Sequence, residues 1–159
     1  MRKIAYLWAL CTCLFACQSK PQTVPFDETA AQQVKAEAEE MMHAYHAAIQ
    51  AGGLLAEEPY LDSTDQFFWV PPGYETALNY DSVWTILSGN APGFQQVNFH
   101  WESLNIHPLS FELATFNGIV KGSMVDTAGQ SFPVSILESG TLIKRTDGWK
   151  LLSGQSVNL

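Results

Sequence analysis

Residues 132–157, FPVSILESGTLIKRTDGWKLLSGQSV, decide the fold. Residues 132–143 alternate. Phe132, Val134, Ile136, Glu138 and Leu142 share one parity, while Ser135, Ser139 and Thr141 share the other. Successive side chains of a strand point to opposite faces, so this period of two predicts a half-buried β-strand. Thr146-Asp147-Gly148 predicts a turn, because Gly accepts the positive φ that tight turns need, and residues 149–157 predict the returning strand. One residue breaks the pattern. Glu138 occupies the apolar parity, where a carboxylate is costly to desolvate.

Working outward from this hairpin, the preceding sequence is also β-rich. Residues 95–106 and 111–124 predict two long strands turned by His107-Pro108-Leu109-Ser110, with Asn117-Gly118 a candidate bulge. Residues 125–130, with Asp126 and Gly129, predict the next hairpin turn. Further back, residues 66–70 predict a short strand closed by Pro71-Pro72-Gly73. Asp81 or Asn79 caps a short helix through Leu87, with Val83, Trp84 and Leu87 as its buried side. Residues 27–51 predict a long amphipathic helix. Asp27 caps it, and Val34, Ala38, Met41, Met42, Tyr45 and Ile49 form the apolar stripe, with His46 on the rim and His43 toward solvent. Gly52-Gly53 ends it, and residues 54–60 predict a short second helix.

Helices first and a long antiparallel meander last is an α+β order. A long sheet twists and curls, and its hollow face must be covered. The expected architecture is a cone-shaped antiparallel sheet with the N-terminal helices across its mouth. Asp65-x-Phe67-Phe68-Trp69-Val70, Val97-x-Phe99-x-Trp101-Glu102-Ser103, Asp126-Thr127-Ala128-Gly129-Gln130 and Arg145-Thr146-Asp147-Gly148-Trp149-Lys150-Leu151-Leu152 carry a resemblance to a known superfamily. From about Asp27 to Val157 the chain resembles the SnoaL-like and nuclear-transport-factor-2-like superfamily, which includes ketosteroid isomerases and polyketide cyclases. The resemblance implies the cone fold, and the fold hosts enzymes and binders alike.

In the isomerase members a carboxylate near the start of the sheet takes a proton and a helix tyrosine donates to the developing enolate. Asp65 and Tyr45 are the positions that loosely match, so the resemblance implies them as base and donor. The residues themselves add Glu138, since burial raises a carboxyl pKa and suits it to proton transfer. Each has a plainer reading. Tyr45 is a core tyrosine with a hydrogen-bond partner, Asp65 a cap or loop residue, and Glu138 an ion-paired or rim residue. Trp69, Tyr74, Tyr80 and Trp84 form an aromatic concentration near the expected mouth, as core or as a ligand platform. His100 and Glu102 share a parity that is either a polar pocket wall or the solvent face opposite Val97, Phe99 and Trp101. No nucleotide loop, serine elbow or metalloprotease motif is present, so no cofactor is expected, and His43 with His46 lacks a nearby third ligand for a metal. Three functions remain in play: a cone that binds a small apolar molecule, an isomerase- or cyclase-type enzyme abstracting a proton beside a carbonyl, and an interaction module that forms a homodimer through its sheet.

The start of the chain gives an address. Arg2 and Lys3 precede the apolar run 4–10, and Leu14-Phe15-Ala16-Cys17 resembles a bacterial lipobox. Residues 1–17 are expected to be a lipoprotein signal peptide, with Cys17 the lipidated first residue of the mature protein and the membrane its partner through that lipid. Residues 18–25 are a polar tether, and residues 26–159 the cone domain. Gln18 stands where an inner-membrane retention signal carries Asp, which by resemblance to Gram-negative lipoproteins implies the outer membrane, facing the periplasm or outside. All three cysteines, Cys11, Cys13 and Cys17, lie in this segment, so the mature domain has no disulfide or thiolate chemistry. Without Arg2 and Lys3, six basic residues face sixteen acidic ones, a net charge of −10. That surface disfavours nucleic acid and anionic lipid headgroups.

Overall fold

The protein is described by a computed structural model covering residues 24–159. The expected signal peptide, the expected lipobox with Cys17 and the expected tether up to residue 23 lie outside the described residues. Helix α1 is Glu28–Gly52. The Asp27 side chain accepts from the Ala30 N–H at 2.9 Å, satisfying one of the free donors of the first turn. Gly53, with φ 77°, ends the helix in a backbone region open to glycine. The buried face is Val34, Ala38, Met41, Met42, His46 and Ile49. His46 is thus no rim residue but a core one, 5 % exposed. A 3₁₀ helix follows at Leu54–Tyr60. Among the described residues no helix is long and apolar enough to cross a membrane.

The sheet has five strands: β1 Phe68–Val70, β2 Phe94–Pro108, β3 Leu113–Asp126, β4 Ser131–Arg145 and β5 Gly148–Asn158. Their spatial order is β1-β5-β4-β3-β2. The four long strands form an antiparallel meander, and β1 adds in parallel beside the end of β5. The β4–β5 hairpin turns through Thr146 and Asp147, and Gly148 takes the positive φ of 121°. Between β3 and β4 the Asp126 carboxylate accepts from the N–H groups of Ala128 and Gln130 at 2.9 and 2.8 Å, which closes that turn. Helix α2, Tyr80–Asn90, is capped by Asn79, whose side chain accepts from Ser82 N–H at 3.0 Å.

Three register shifts interrupt the ladder. One lies at the start of β2 between Phe94 and Gln96; the two that bear on the interior lie on β2 between Trp101 and Ser103, and opposite Thr141–Leu142, where Leu152 of β5 is passed over. The candidate bulge at Asn117-Gly118 is not found; Gly118 pairs regularly with Leu104, and the extra residue is Glu102. Each bulge flips the parity that faces inward. On β2 the inward set runs Val97, Phe99 and Trp101, then Leu104 and Ile106. On β5 it runs Trp149 and Leu151, then Gly154 and Ser156.

Three inward glycines have an aromatic ring lying over them. A Cβ on Gly118 would meet the Trp101 ring at 2.8 Å, one on Gly140 the Phe116 ring at 3.0 Å, and one on Gly154 the Trp69 ring at 2.6 Å. Each is also blocked from the side by a carbonyl of the adjoining strand, Ser103 O at 2.4 Å, Ser153 O at 2.2 Å and Ser139 O at 2.5 Å. The missing side chains give the large rings room to lie flat against the sheet.

Helix α1 closes the hollow face, and the core gathers Met42, Val34 and Ala38 against Ile106, Phe116, Leu142 and Leu151. Each of these side chains larger than Ala38 contributes roughly 1.5–3 kcal/mol. Polar contacts fix the angle of the helix. The Trp101 indole N–H donates to the Met42 carbonyl at 3.2 Å, and His46 stacks on the same indole at 4.7 Å. Glu37 accepts from Lys144 and from the Trp149 indole, tying α1 to the β4–β5 hairpin. These bonds hold the Glu37 carboxyl near pKa 2, with Lys144 the largest cause. On the convex face, Ile119, Leu137 and Val157 stand in register across β3, β4 and β5, with Leu137 and Val157 exposed.

Candidate functional site

Between the 3₁₀ helix, α2, the Pro71-Pro72 corner and the hollow of the sheet is a cavity of about 180 Å³. Its wall is mostly hydrocarbon and aromatic: Leu54, Leu61, Phe67, Trp69, Ile86, Leu87, Phe99 and Ile136 are among its residues. Tyr45, Glu57, Glu138 and Ser156 supply the polar atoms. Glu138 reaches it from β4 on the same parity as Ile136 and Leu142, so its place on the apolar side of the strand is real.

Two short hydrogen-bonded runs meet the cavity. In one, the Trp69 indole N–H donates to Ser156 Oγ at 3.0 Å, and the Ser156 hydroxyl donates to Glu138 Oε1 at 3.0 Å. In the other, the Tyr45 hydroxyl donates to Glu57 Oε2 at 2.7 Å. Burial pushes the Glu138 carboxyl up to about 7, against the opposing Ser156 hydrogen bond. Burial likewise pushes Glu57 up to about 7; the Tyr45 hydrogen bond opposes this, and the charge of Glu138 adds to it. Burial, reinforced by the charges of Glu57 and Glu138, raises Tyr45 well above its ordinary value, so it remains a donor. The arrangement therefore holds two carboxyls that exchange protons near neutral pH and one phenol that does not, against a mostly apolar wall.

The expected site residues divide. Tyr45, Glu138 and Trp69 converge on the cavity. Asp65 does not; it is exposed in the loop before β1, and Tyr45 pairs instead with Glu57. Tyr74 lies 45 % exposed beyond the Pro71-Pro72 corner. Tyr80 is half-buried with its ring edge-on to Phe67, and Trp84 is half-buried on α2; neither lines the cavity. His100 and Glu102 take the solvent side, Glu102 being the bulge residue itself. Among the described residues no group of three or more His, Cys, Asp and Glu is placed to hold a metal. His46 is buried with its Nδ1 unbonded among the described residues, and burial lowers it to about 4, so it is neutral.

Glu57 and Ser156 were not singled out by the sequence reading. Glu57 had a signal. In a 3₁₀ helix residues three apart eclipse, so Leu54, Glu57 and Tyr60 share one face, and that face turns inward. Ser156 had a misleading one. Counting back from the Thr146–Asp147 turn pairs Glu138 with Gln155; the bulge at Leu152 moves the partner to Ser156.

The buried carboxyls make stability depend on pH. A carboxyl whose folded pKa lies above its unfolded value contributes stability at low pH that is lost as pH rises through the folded value. The protein should therefore lose stability between about pH 4.5 and pH 7–8 on account of Glu57 and Glu138. Glu138→Gln keeps the acceptor for Ser156 and removes the charge. Its unfolding free energy, from urea titrations at pH 5 and pH 8, should exceed that of the unsubstituted protein by about 3 kcal/mol at pH 8 and by less than about 1 kcal/mol at pH 5. An equal effect at both pH values rules out a buried ionisation at Glu138.

No protein-family profile and no curated protein matches the sequence. Solved structures do match. A nuclear transport factor 2-like superfamily protein from Salmonella enterica superposes with a TM-score of 0.65 at 15 % identity, over 80 % of this chain and 92 % of that one. A protein from Novosphingobium aromaticivorans, assigned as a scytalone dehydratase, gives a TM-score of 0.68 at 14 % identity, over 78 % and 83 %. A type 2 hexachlorocyclohexane dehydrochlorinase gives 0.64 at 10 % identity, over 82 % and 88 %. At such identities the likeness is one of fold. The curved five-stranded sheet closed by N-terminal helices is the nuclear-transport-factor-2-like fold, and this chain has it.

Proposed function

We propose that the chain is a lipid-anchored protein of the bacterial cell envelope, held in the outer membrane through Cys17, whose cone binds one small, largely apolar molecule. The observation that carries the binding reading is the cavity itself: about 180 Å³ of partly open space with a mostly aromatic and aliphatic wall and a few polar atoms, from Tyr45, Glu57, Glu138 and Ser156. That volume is near the roughly 150 Å³ in which a dry engineered cavity holds benzene. At pH 5, where both carboxyls are neutral, toluene is expected to raise the melting temperature of the protein. Ile136→Trp fills the space and should abolish that response. A variant that still responds, or a protein that never does, overturns the reading. The anchor has its own test. Mass spectrometry of the protein from its native membrane should find a mature chain that begins at Cys17 and carries acyl mass, and any other start removes the lipoprotein assignment.

A second reading, proton transfer beside a carbonyl, is favoured by one observation. Glu138 combines a pKa near 7 with access to the cavity, which is what a general base needs. Tyr45 and Glu57 supply donors at the same wall when Glu57 is protonated. The expected outcome is that the protein speeds deuterium uptake at the α-carbon of cyclohexanone in D₂O, followed by NMR. Glu138→Gln should lose this while keeping the toluene response. Uptake no faster than in buffer leaves the cone a binder only.

A further inference from the structure

The two carboxyls of the cavity have no countercharge. Among the described residues the ion pairs are Lys35 with Glu39, Lys144 with Glu37, Arg145 with Asp62, and Lys150 with Asp147; Glu57 and Glu138 are in none. No Lys, Arg or His lines the cavity. Buried carboxylates ordinarily recruit a cation or give up their charge. Here each is served by one neutral donor. Tyr45 bonds Glu57 Oε2 and Ser156 bonds Glu138 Oε1, and the second oxygen of each has no donor among the described residues. Glu57 is only 8 % exposed, yet it lines the space. The rings of Tyr45, Trp69, Phe67 and Phe99 form much of the remaining wall.

We propose that the ligand is a small organic ammonium ion, a primary amine on a body of about one aromatic ring. The inference rests on the cavity being a binding site and adds the charge of its occupant. The ammonium N–H groups donate to the free oxygens of Glu57 and Glu138, and the hydrocarbon lies against the aromatic wall. Tyr45 and Ser156 hold the two carboxylates in place. A carboxylate ligand is repelled by the same pair, and a neutral one leaves both charges unmatched. The recognition is tied to pH. The groups facing the two carboxyls are Tyr45 from α1 and each other; α2, β1 and β5 bring no titratable side chain to the lining, and His46 behind Tyr45 is neutral. An ammonium is therefore bound best where Glu57 and Glu138 are ionised, above about pH 7.

The test is calorimetric titration of the full chain with benzylammonium, benzyl alcohol and benzoate at pH 5 and pH 8. At pH 8 benzylammonium should bind at least about tenfold more tightly than benzyl alcohol, benzoate should not bind, and the preference should shrink about tenfold at pH 5. Glu57→Gln and Glu138→Gln each keep a hydrogen-bond acceptor for the neighbouring hydroxyl. Each should cut the preference about tenfold and leave benzyl alcohol binding in place, which also shows that the variant is folded. Equal affinity for benzylammonium and benzyl alcohol at pH 8 overturns the inference and leaves the binding reading standing. A cation preference that survives in both variants overturns it too, since it then comes from the acidic surface. Binding by none of the three overturns the inference and the binding reading together.

Discussion

The closure of α1 over the hollow of the sheet is the constraint on which the interior depends. The curled strands leave a concave surface of Trp101, Phe116, Leu142 and Leu151, and the apolar stripe of α1 covers it. The helix cannot slide or roll freely on that surface. The Trp101 indole holds the Met42 carbonyl, His46 stacks on the same ring, and Glu37 grips Lys144 and Trp149. With the helix fixed, Tyr45 is aimed at the 3₁₀ helix and meets Glu57. Packing then sets Glu57 and Glu138 against an apolar wall, and their proton affinities rise as a consequence, with no unusual chemistry in the groups themselves.

The two ends of α1 therefore do different work. Near its start, Glu37 is a partly exposed carboxylate with a cation and an indole, held in its charged form. Such pairs are worth about 1 kcal/mol or less and act mainly to set orientation. Past its middle, Tyr45 serves a carboxyl that has no cation at all. Glu57 and Glu138 lower stability at neutral pH, and a stretch of Leu and Ile in their place would pack without that cost. Polar groups in an apolar cavity at the expense of stability are what the proposed binding role would require.

Most of the architecture was legible because its signals are periodic. The stripe on residues 27–51, the alternation on residues 132–143 and the Asp-Gly turn at 147–148 each report local geometry, and each element formed where expected. The misplaced features trace to the bulges. Neither Glu102 nor Leu152 carries a mark of being unpaired, yet each reverses which neighbours face inward. Hence the open question about His100 and Glu102, and hence the silence of the sequence on Ser156. The site was legible only in part for the same reason. Glu138 announces itself by sitting among apolar neighbours on one strand. Glu57 becomes a cavity residue only through a contact between Tyr45 on α1 and the short 3₁₀ helix that carries Glu57, twelve residues later. Asp65 drew attention through the family likeness, but the loop before β1 points it at solvent.

The rings that lie over Gly118, Gly140 and Gly154 give the lineage of this protein a one-way door. Each glycine is hemmed by an aromatic ring above and a strand carbonyl beside it. Trimming Trp101, Phe116 or Trp69 to a smaller residue would leave the glycine as crowded by backbone as before. Of the three rings, Trp69 lines the cavity, while Trp101 and Phe116 belong to the core beneath α1, where Trp101 also holds the Met42 carbonyl. A smaller side chain at position 69 would widen the cavity at the cost of the hydrogen bond to Ser156. A larger one at position 154 could not narrow it without displacing the backbone beside it.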